Sequence, residues 1–139
     1  MPGSVADLNL RISEANLHNL PPALILDVND SHWNVKKYLL LFTANSLHIM
    51  AEKSVENIFS RIPNVLQQSA LVFIYGPFKY GGNFTTKSNA EFDEWLKEKD
   101  LRSGVRDFEA ISELAISVGL SLVADVQMPS NNQLLVFSR

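Results

Sequence analysis

Cysteine is absent from the 139 residues, which removes disulfides, thiolate metal sites, iron–sulfur clusters and cysteine nucleophiles together. Positive charge is not in excess. Twelve basic against fifteen acidic residues leave a net charge of −3, which offers no electrostatic handle to nucleic acid or to an anionic membrane surface. No apolar run approaches the roughly 18–20 residues needed to span a bilayer. Met1–Asp7 has neither the basic nor the apolar region of a secretion signal, so the cytoplasm is the expected compartment. Glycine is scarce where a nucleotide-binding chain usually needs it, with none between Gly3 and Gly76. A glycine-rich dinucleotide turn is therefore missing, as are a nucleophile elbow, a Walker loop, an HExxH pair and an EF-hand loop. His18, His32 and His48 lack metal-ligand spacing, so no zinc or iron site is expected.

What is present reads as an ordinary globular domain covering residues 1–139. Hydrophobic residues make up 46% of the chain and charged residues 19%, enough apolar surface for a real core. Val5, Leu8, Ile12 and Ala15 share a helical face, which predicts a helix over about 5–16 that Pro21-Pro22 prevents from resuming. Three compact apolar runs, 23–28, 38–43 and 70–75, read as strands apolar on both faces, as a covered parallel sheet requires. A helix is expected at about 51–62, ended or distorted by Pro63. Ser88-Asn-Ala-Glu91 reads as a capping box opening another helix, and Asp107 as the cap of a further one that stops at Gly119. Ser121–Gln127 and Gln133–Phe137 are separated only by Met128–Asn132, so they must form an antiparallel hairpin. The fold class is α/β, mostly parallel with one reversed strand at the C-terminal end. Such an ending belongs to the class I methyltransferase (Rossmann-like) sheet.

Ligands of open α/β sheets bind at the carboxyl ends of the strands, which directs attention to a few residues. Asp27 ends the first run, where a carboxylate suits an adenine amine or ribose hydroxyl and equally caps its own loop. Asn45 and His48 follow the second run. The amide offers a donor and an acceptor to a polar substrate, and the imidazole suits a general base. The alternative is that Asn45 caps the next helix and His48 packs on it. The stretch from Gly76 to Arg106, with Tyr75 just before it, carries Phe78, Tyr80 and Phe84 beside Gly76, Gly81 and Gly82, which fits a substrate lid or a loop pinned by its own aromatics. Asp93, Arg106 and Asp107 form a possible charged cluster beside it.

Several stretches taken together are distinctive: Pro21-Pro-Ala-Leu-Ile-Leu-Asp27-Val28, Phe42-Thr-Ala-Asn45-Ser-Leu-His48-Ile-Met50, Tyr75-Gly76-Pro-Phe-Lys-Tyr-Gly-Gly-Asn83-Phe84, Ser88-Asn-Ala-Glu-Phe92-Asp93, Gly104-Val-Arg106-Asp107-Phe108 and Met128-Pro-Ser-Asn-Asn132. They resemble the class I methyltransferase-like family that includes methyltransferase-like protein 26 and its bacterial relatives. The resemblance implies the methyltransferase fold, S-adenosylmethionine as cofactor, and an unidentified small-molecule or protein methyl acceptor. It places Asp27 toward the nucleoside side of the cofactor and Asn45 beside its methionine moiety. His48, Tyr75, Gly76 and Asn83 fall on the acceptor side.

The departure from that family is at the start. Its members open with a strand, a Glu-x-x-Ser-Gly-x-Gly turn, a helix and a strand ending in an acidic residue, and none of these is here. The expectation is an N-terminally truncated fold, five strands of a seven-strand sheet with the first two missing, and impaired cofactor binding. The run at 38–43 would then be an apolar sheet edge, to be covered by 23–28 or by self-association. A non-catalytic remnant acting through protein contacts is the alternative function.

Overall fold

The computed structural model describes residues 2–139, with side chains from Val5 onward. It divides into two compact units, 1–30 and 31–139, where the sequence reads as one domain. The first contains helix α1, Pro2–Ala15. Asn9 holds the segment that follows, accepting from Ala23 N at 2.6 Å. Residues 23–28 do not form the expected strand. Leu24, Ile25 and Leu26 are 68%, 77% and 42% exposed. The physical reason is that an apolar run is only a candidate strand until a neighbour pairs its N–H and C=O groups, and this run has no ladder partner among the described residues.

The second unit is built on a four-stranded sheet. Its strands are β1 (Tyr38–Ala44), β2 (Leu66–Gly76), β6 (Ser121–Met128) and β7 (Asn132–Ser138), in the order β1-β2-β7-β6. β1 and β2 are parallel; β7 is antiparallel to both β2 and β6. The helices are α2 (Glu52–Val65), α3 (Lys87–Lys99) and α4 (Phe108–Ser117). The core lies where α2 and α4 bury Val55, Phe59, Ile62, Ile111 and Ala115 against Ala70, Val72 and Ile74 of β2 and Leu135 and Phe137 of β7. The alternating burial of β2 is the period-2 signature of a strand with one face in the core.

Pro63 does not end α2, which runs on to Val65. The proline sits in the last turn, where few bonds remain to be lost. There Arg139 donates from Nη1 to the carbonyls of Pro63 and Leu66, 2.6 Å from each. A cation on the exposed carbonyls of a helix C-terminus is favourable. The α3 cap is also displaced: Thr86, not Ser88, accepts from Asn89 N. Asp107 stands at the N-cap of α4 but spends its side chain elsewhere, accepting from Gly82 N at 3.2 Å. Gly119 ends the α4 region with φ +83°, the left-handed conformation that glycine adopts most cheaply.

The glycine- and aromatic-rich stretch pins itself down. Strands β3 (Phe78–Tyr80) and β4 (Asn83–Phe84) form a small sheet with β5 (Arg106–Asp107). Phe78 is buried, Tyr80 stacks on Phe108 at 5.0 Å, and the Tyr80 hydroxyl donates to Asp125 at 2.7 Å. The hairpin tip is held by Gly81 N donating to Glu109 at 3.0 Å. Of the two readings of this stretch, the structure has the pinned one. Among the described residues, no helix is long and apolar enough to cross a membrane.

Candidate functional site

β1 and β2 run in the same direction, so their carboxyl ends open at the same place. Asn45 stops β1. Its φ of +54° is one that asparagine tolerates better than most residues, and its N–H still donates to Tyr75 O at 2.9 Å. A 3-10 turn, Leu47–Ile49, then buries Leu47 and His48 before α2 begins. The turn brings His48 and Asn45 to the last residue of β2. A methyl group on Gly76 would lie 3.6 Å from His48 Nδ1 and 3.8 Å from Asn45 Oδ1.

Asn45 and His48 line a cleft of about 550 Å³ completed by Ile49, Pro77, Ser88, Asn89, Phe92, Ser130 and Asn132. None of them carries a formal charge besides the histidine. Phe92 meets the His48 ring edge-to-face at 5.2 Å and is itself stacked on Trp95 at 5.9 Å, an arrangement aromatic rings favour. Asn89, buried at the start of α3, donates to Thr85 Oγ1 at 2.9 Å and to Asn131 O at 3.0 Å. Asn131 in turn donates to Ser88 at 3.0 Å. The β6–β7 turn, with Ser130 and Asn131 both left-handed, is thereby tied to α3.

His48 is only 5% exposed, and its ring nitrogens make no hydrogen bond to the protein among the described residues, but they are not fully buried atoms and open on the cleft. Burial first, and the Arg106 guanidinium second, push its pKa below the ordinary 6.5. The ring is therefore neutral at neutral pH, with a free lone pair.

The structure thus brings together Asn45, His48 and Gly76. Tyr75 contributes its carbonyl to Asn45, and its side chain is not part of the cleft. Asn83 lies at the β3–β4 tip, donating to Gly81 O at 3.0 Å, outside the cleft. Asp27 accepts from Asn29 N at 2.8 Å within the 1–30 unit, the loop-capping arrangement. Of the expected cluster of Asp93, Arg106 and Asp107, the first two line one cleft without pairing with each other, and Asp107 lies outside it. Asp93 pairs with Lys97 at 2.6 Å, Asp107 with Lys79 at 3.7 Å, and Arg106 donates to backbone carbonyls. Sequence reasoning passed over Asn89, Phe92 and Asn132 as site residues. Their signal was their place in two of the distinctive stretches. Among the described residues, no group of three or more His, Asp or Glu side chains is placed to hold a metal ion.

A family model described as "Protein of unknown function (DUF938)" matches residues 3–139. Among solved structures the chain is similar to LaPhzM, at 13% identity over 99% of this chain and 40% of that one, with a TM-score of 0.77. It is similar to LepI, solved in complex with SAM, at 21% identity over 93% of this chain and 33% of that one, TM-score 0.69. It is also similar to an O-methyltransferase family protein from Burkholderia thailandensis, at 11% identity over 76% of this chain and 31% of that one, TM-score 0.67. The chain has a methyltransferase-like α/β fold and spans 31% to 40% of the length of these three structures.

Proposed function

The chain belongs to the DUF938 family, and from that premise we propose that residues 31–139 carry the acceptor side of a class I methyltransferase-like site. The narrower likeness to methyltransferase-like protein 26 is part of this reading, as is a cytoplasmic location for a cysteine-free chain. One observation carries it: a buried histidine with unpartnered ring nitrogens faces an uncharged cleft at the carboxyl ends of two parallel strands. Such a group accepts a proton from a hydroxyl as that oxygen becomes a nucleophile. Asn45, Asn89 and Asn132 offer amides to orient a neutral acceptor, and Phe92 offers a flat wall. A hydroxyl acceptor also agrees with the O-methyltransferase name of one structural neighbour.

S-adenosylmethionine fits these residues only in part. The cleft holds no carboxylate for ribose hydroxyls. Asp27, expected on the nucleoside side, is engaged by its own loop. No glycine lies between Gly3 and Gly76 to let backbone N–H groups approach the methionine end. The reading is therefore of a sheet that corresponds to the last strands of the methyltransferase fold, with a strand position open beside β1 and cofactor binding impaired in this chain alone.

Calorimetric titration with S-adenosylhomocysteine tests the second part. No heat of binding at micromolar concentration is expected, and micromolar affinity would overturn the impairment. Histidine NMR tests the first. Millimolar phenol or catechol should shift His48 and leave His18 and His32 in place; an unmoved His48 refutes the acceptor site.

A second reading, a non-catalytic domain acting through protein contacts, draws on β1. Leu39, Leu40 and Phe42 are 59%, 56% and 60% exposed on an edge strand with no charged residue in it, which invites pairing. Sedimentation of wild type against Leu40→Lys discriminates: concentration-dependent association abolished by the lysine supports it, and a monomer at all concentrations removes it.

A further inference from the structure

We infer that Asp93, Gly104 and Arg106 form a brace that sets the position of the His48 ring, making them positioning residues for the site proposed above. The inference rests on that reading only for its purpose; the brace itself rests on geometry. The His48 imidazole has no hydrogen bond of its own among the described residues, so its place is decided by its backbone and by contact with Phe92. That backbone is held from one side by one short segment. Gly104 N donates to His48 O at 2.9 Å. Two residues on, Arg106 donates from Nε to Leu47 O at 3.1 Å and from Nη2 to Met50 O. Carbonyls before, at and after His48 are thus all fastened to residues 104–106.

The segment is fastened in turn to α3 by a single carboxylate. Asp93 is 3% exposed, accepts from Val105 N at 2.7 Å and pairs with Lys97 at 2.6 Å. Glycine at 104 is required by this approach, because a Cβ there would lie 2.9 Å from Asp93 Oδ1, and the backbone has φ +154°. The neighbouring residue of α3, Phe92, is the one that touches the His48 ring. One helix therefore governs the histidine twice, directly through Phe92 and through the chain by Asp93. A general base needs its place set to within about half an ångström, and a ring without a hydrogen bond obtains that only from such support. Arg106 is half-buried, with its guanidinium on neutral carbonyls, a costly use of a cation unless the carbonyls need fixing. Among the described residues Arg106 is the charged group acting on the His48 ring, and Glu52 and Asp93 act on Arg106.

The test is a histidine NMR titration of the full chain, in which His18 and His32 serve as internal references. Arg106→Lys keeps the charge and loses the fork onto Leu47 and Met50. Gly104→Ala pushes the segment off Asp93. Each is expected to admit water to the ring and raise the His48 midpoint by about half a pH unit or more, toward its ordinary value, with cooperative unfolding preserved. Lys53→Ala, which alters a nearby exposed cation, should leave the midpoint in place. The brace is overturned if both variants fold and His48 does not move, or if Lys53→Ala moves it equally. Loss of folding in both would overturn it as well, since the segment would then hold the fold rather than the ring. A His48 that ignores acceptors but shifts in Arg106→Lys would refute the proposed function and leave the brace standing.

Discussion

Two clefts are lined in part by residues of α3, and they differ in how their polar groups are engaged. The first, about 440 Å³, is lined by five cations, Lys53, Lys79, Lys97, Arg102 and Arg106, with Glu52 and Asp93. Its charge looks like an anion site, yet each cation is engaged. Lys53 pairs with Glu56, Lys79 with Asp107, Lys97 with Asp93 and Arg102 with Asp100, while Arg106 serves carbonyls. The second is lined by no charged side chain, and its one histidine makes no hydrogen bond to the protein among the described residues. A group already satisfied by the protein has little left to offer a ligand. A polar group that the protein leaves unpartnered where it opens on a cleft is free to meet a ligand, so it is the better candidate for chemistry. Charge density points to one cleft; hydrogen-bond satisfaction points to the other.

The sharpest way to break this contrast is Asp93→Ala. It leaves the Val105 N–H unpaired in a buried place and removes the partner of Lys97, and should cost about 3 kcal/mol in denaturant unfolding; a loss below about 1 kcal/mol would mean the charged cleft is no more than a solvated surface. Next comes Asn89→Ala in the neutral cleft. Two side-chain bonds to Thr85 and Asn131 disappear, and a destabilisation of about 1–2 kcal/mol is expected. No change there would show that the Asn89 bonds do not contribute to fastening the β6–β7 turn to α3.

A third test uses pH. His48 has a lowered folded pKa, so below its ordinary value the unfolded chain binds a proton that the folded chain refuses. Stability should therefore be unaffected above about pH 7 and should fall as pH drops below 6.5. Urea unfolding of wild type against His48→Gln reads the difference, and identical pH profiles would show that the ring is not desolvated. The smallest effect belongs to Lys53→Ala. Its pair with Glu56 is exposed, with side chains 77% and 44% accessible, and at most about 0.5 kcal/mol should be lost.

Legibility from the sequence was uneven for physical reasons. The hairpin of β6 and β7 was readable because a five-residue connection permits nothing else. The end of α4 was readable at Gly119, where the backbone takes a left-handed turn. Asn45 and His48 were legible as candidates because both follow directly on an apolar run. The N-cap of α3 was misplaced by two residues, since Thr86 and Ser88 offer the same hydroxyl and only the chain path chooses between them. Asn83 looked like a site residue from its neighbours, but the β3–β4 turn carries it to the hairpin tip. Asn89 and Phe92 could not be assigned to the cleft, because nothing local says which face of α3 meets the His48 turn.

By itself the sequence determined the α/β class and the reversed C-terminal pair, since these follow from apolar period, run length and short connections. It also excluded disulfides and thiolate ligands within these residues, since no arrangement of the chain creates a cysteine. Tertiary structure alone decided that 23–28 forms no strand, that Arg106 serves carbonyls rather than carboxylates, and that the His48 ring packs on Phe92 and makes no hydrogen bond to the protein among the described residues. Each of those depends on what lies across space from the residue, and pairing, desolvation and hydrogen-bond supply are properties of the neighbour as much as of the residue itself.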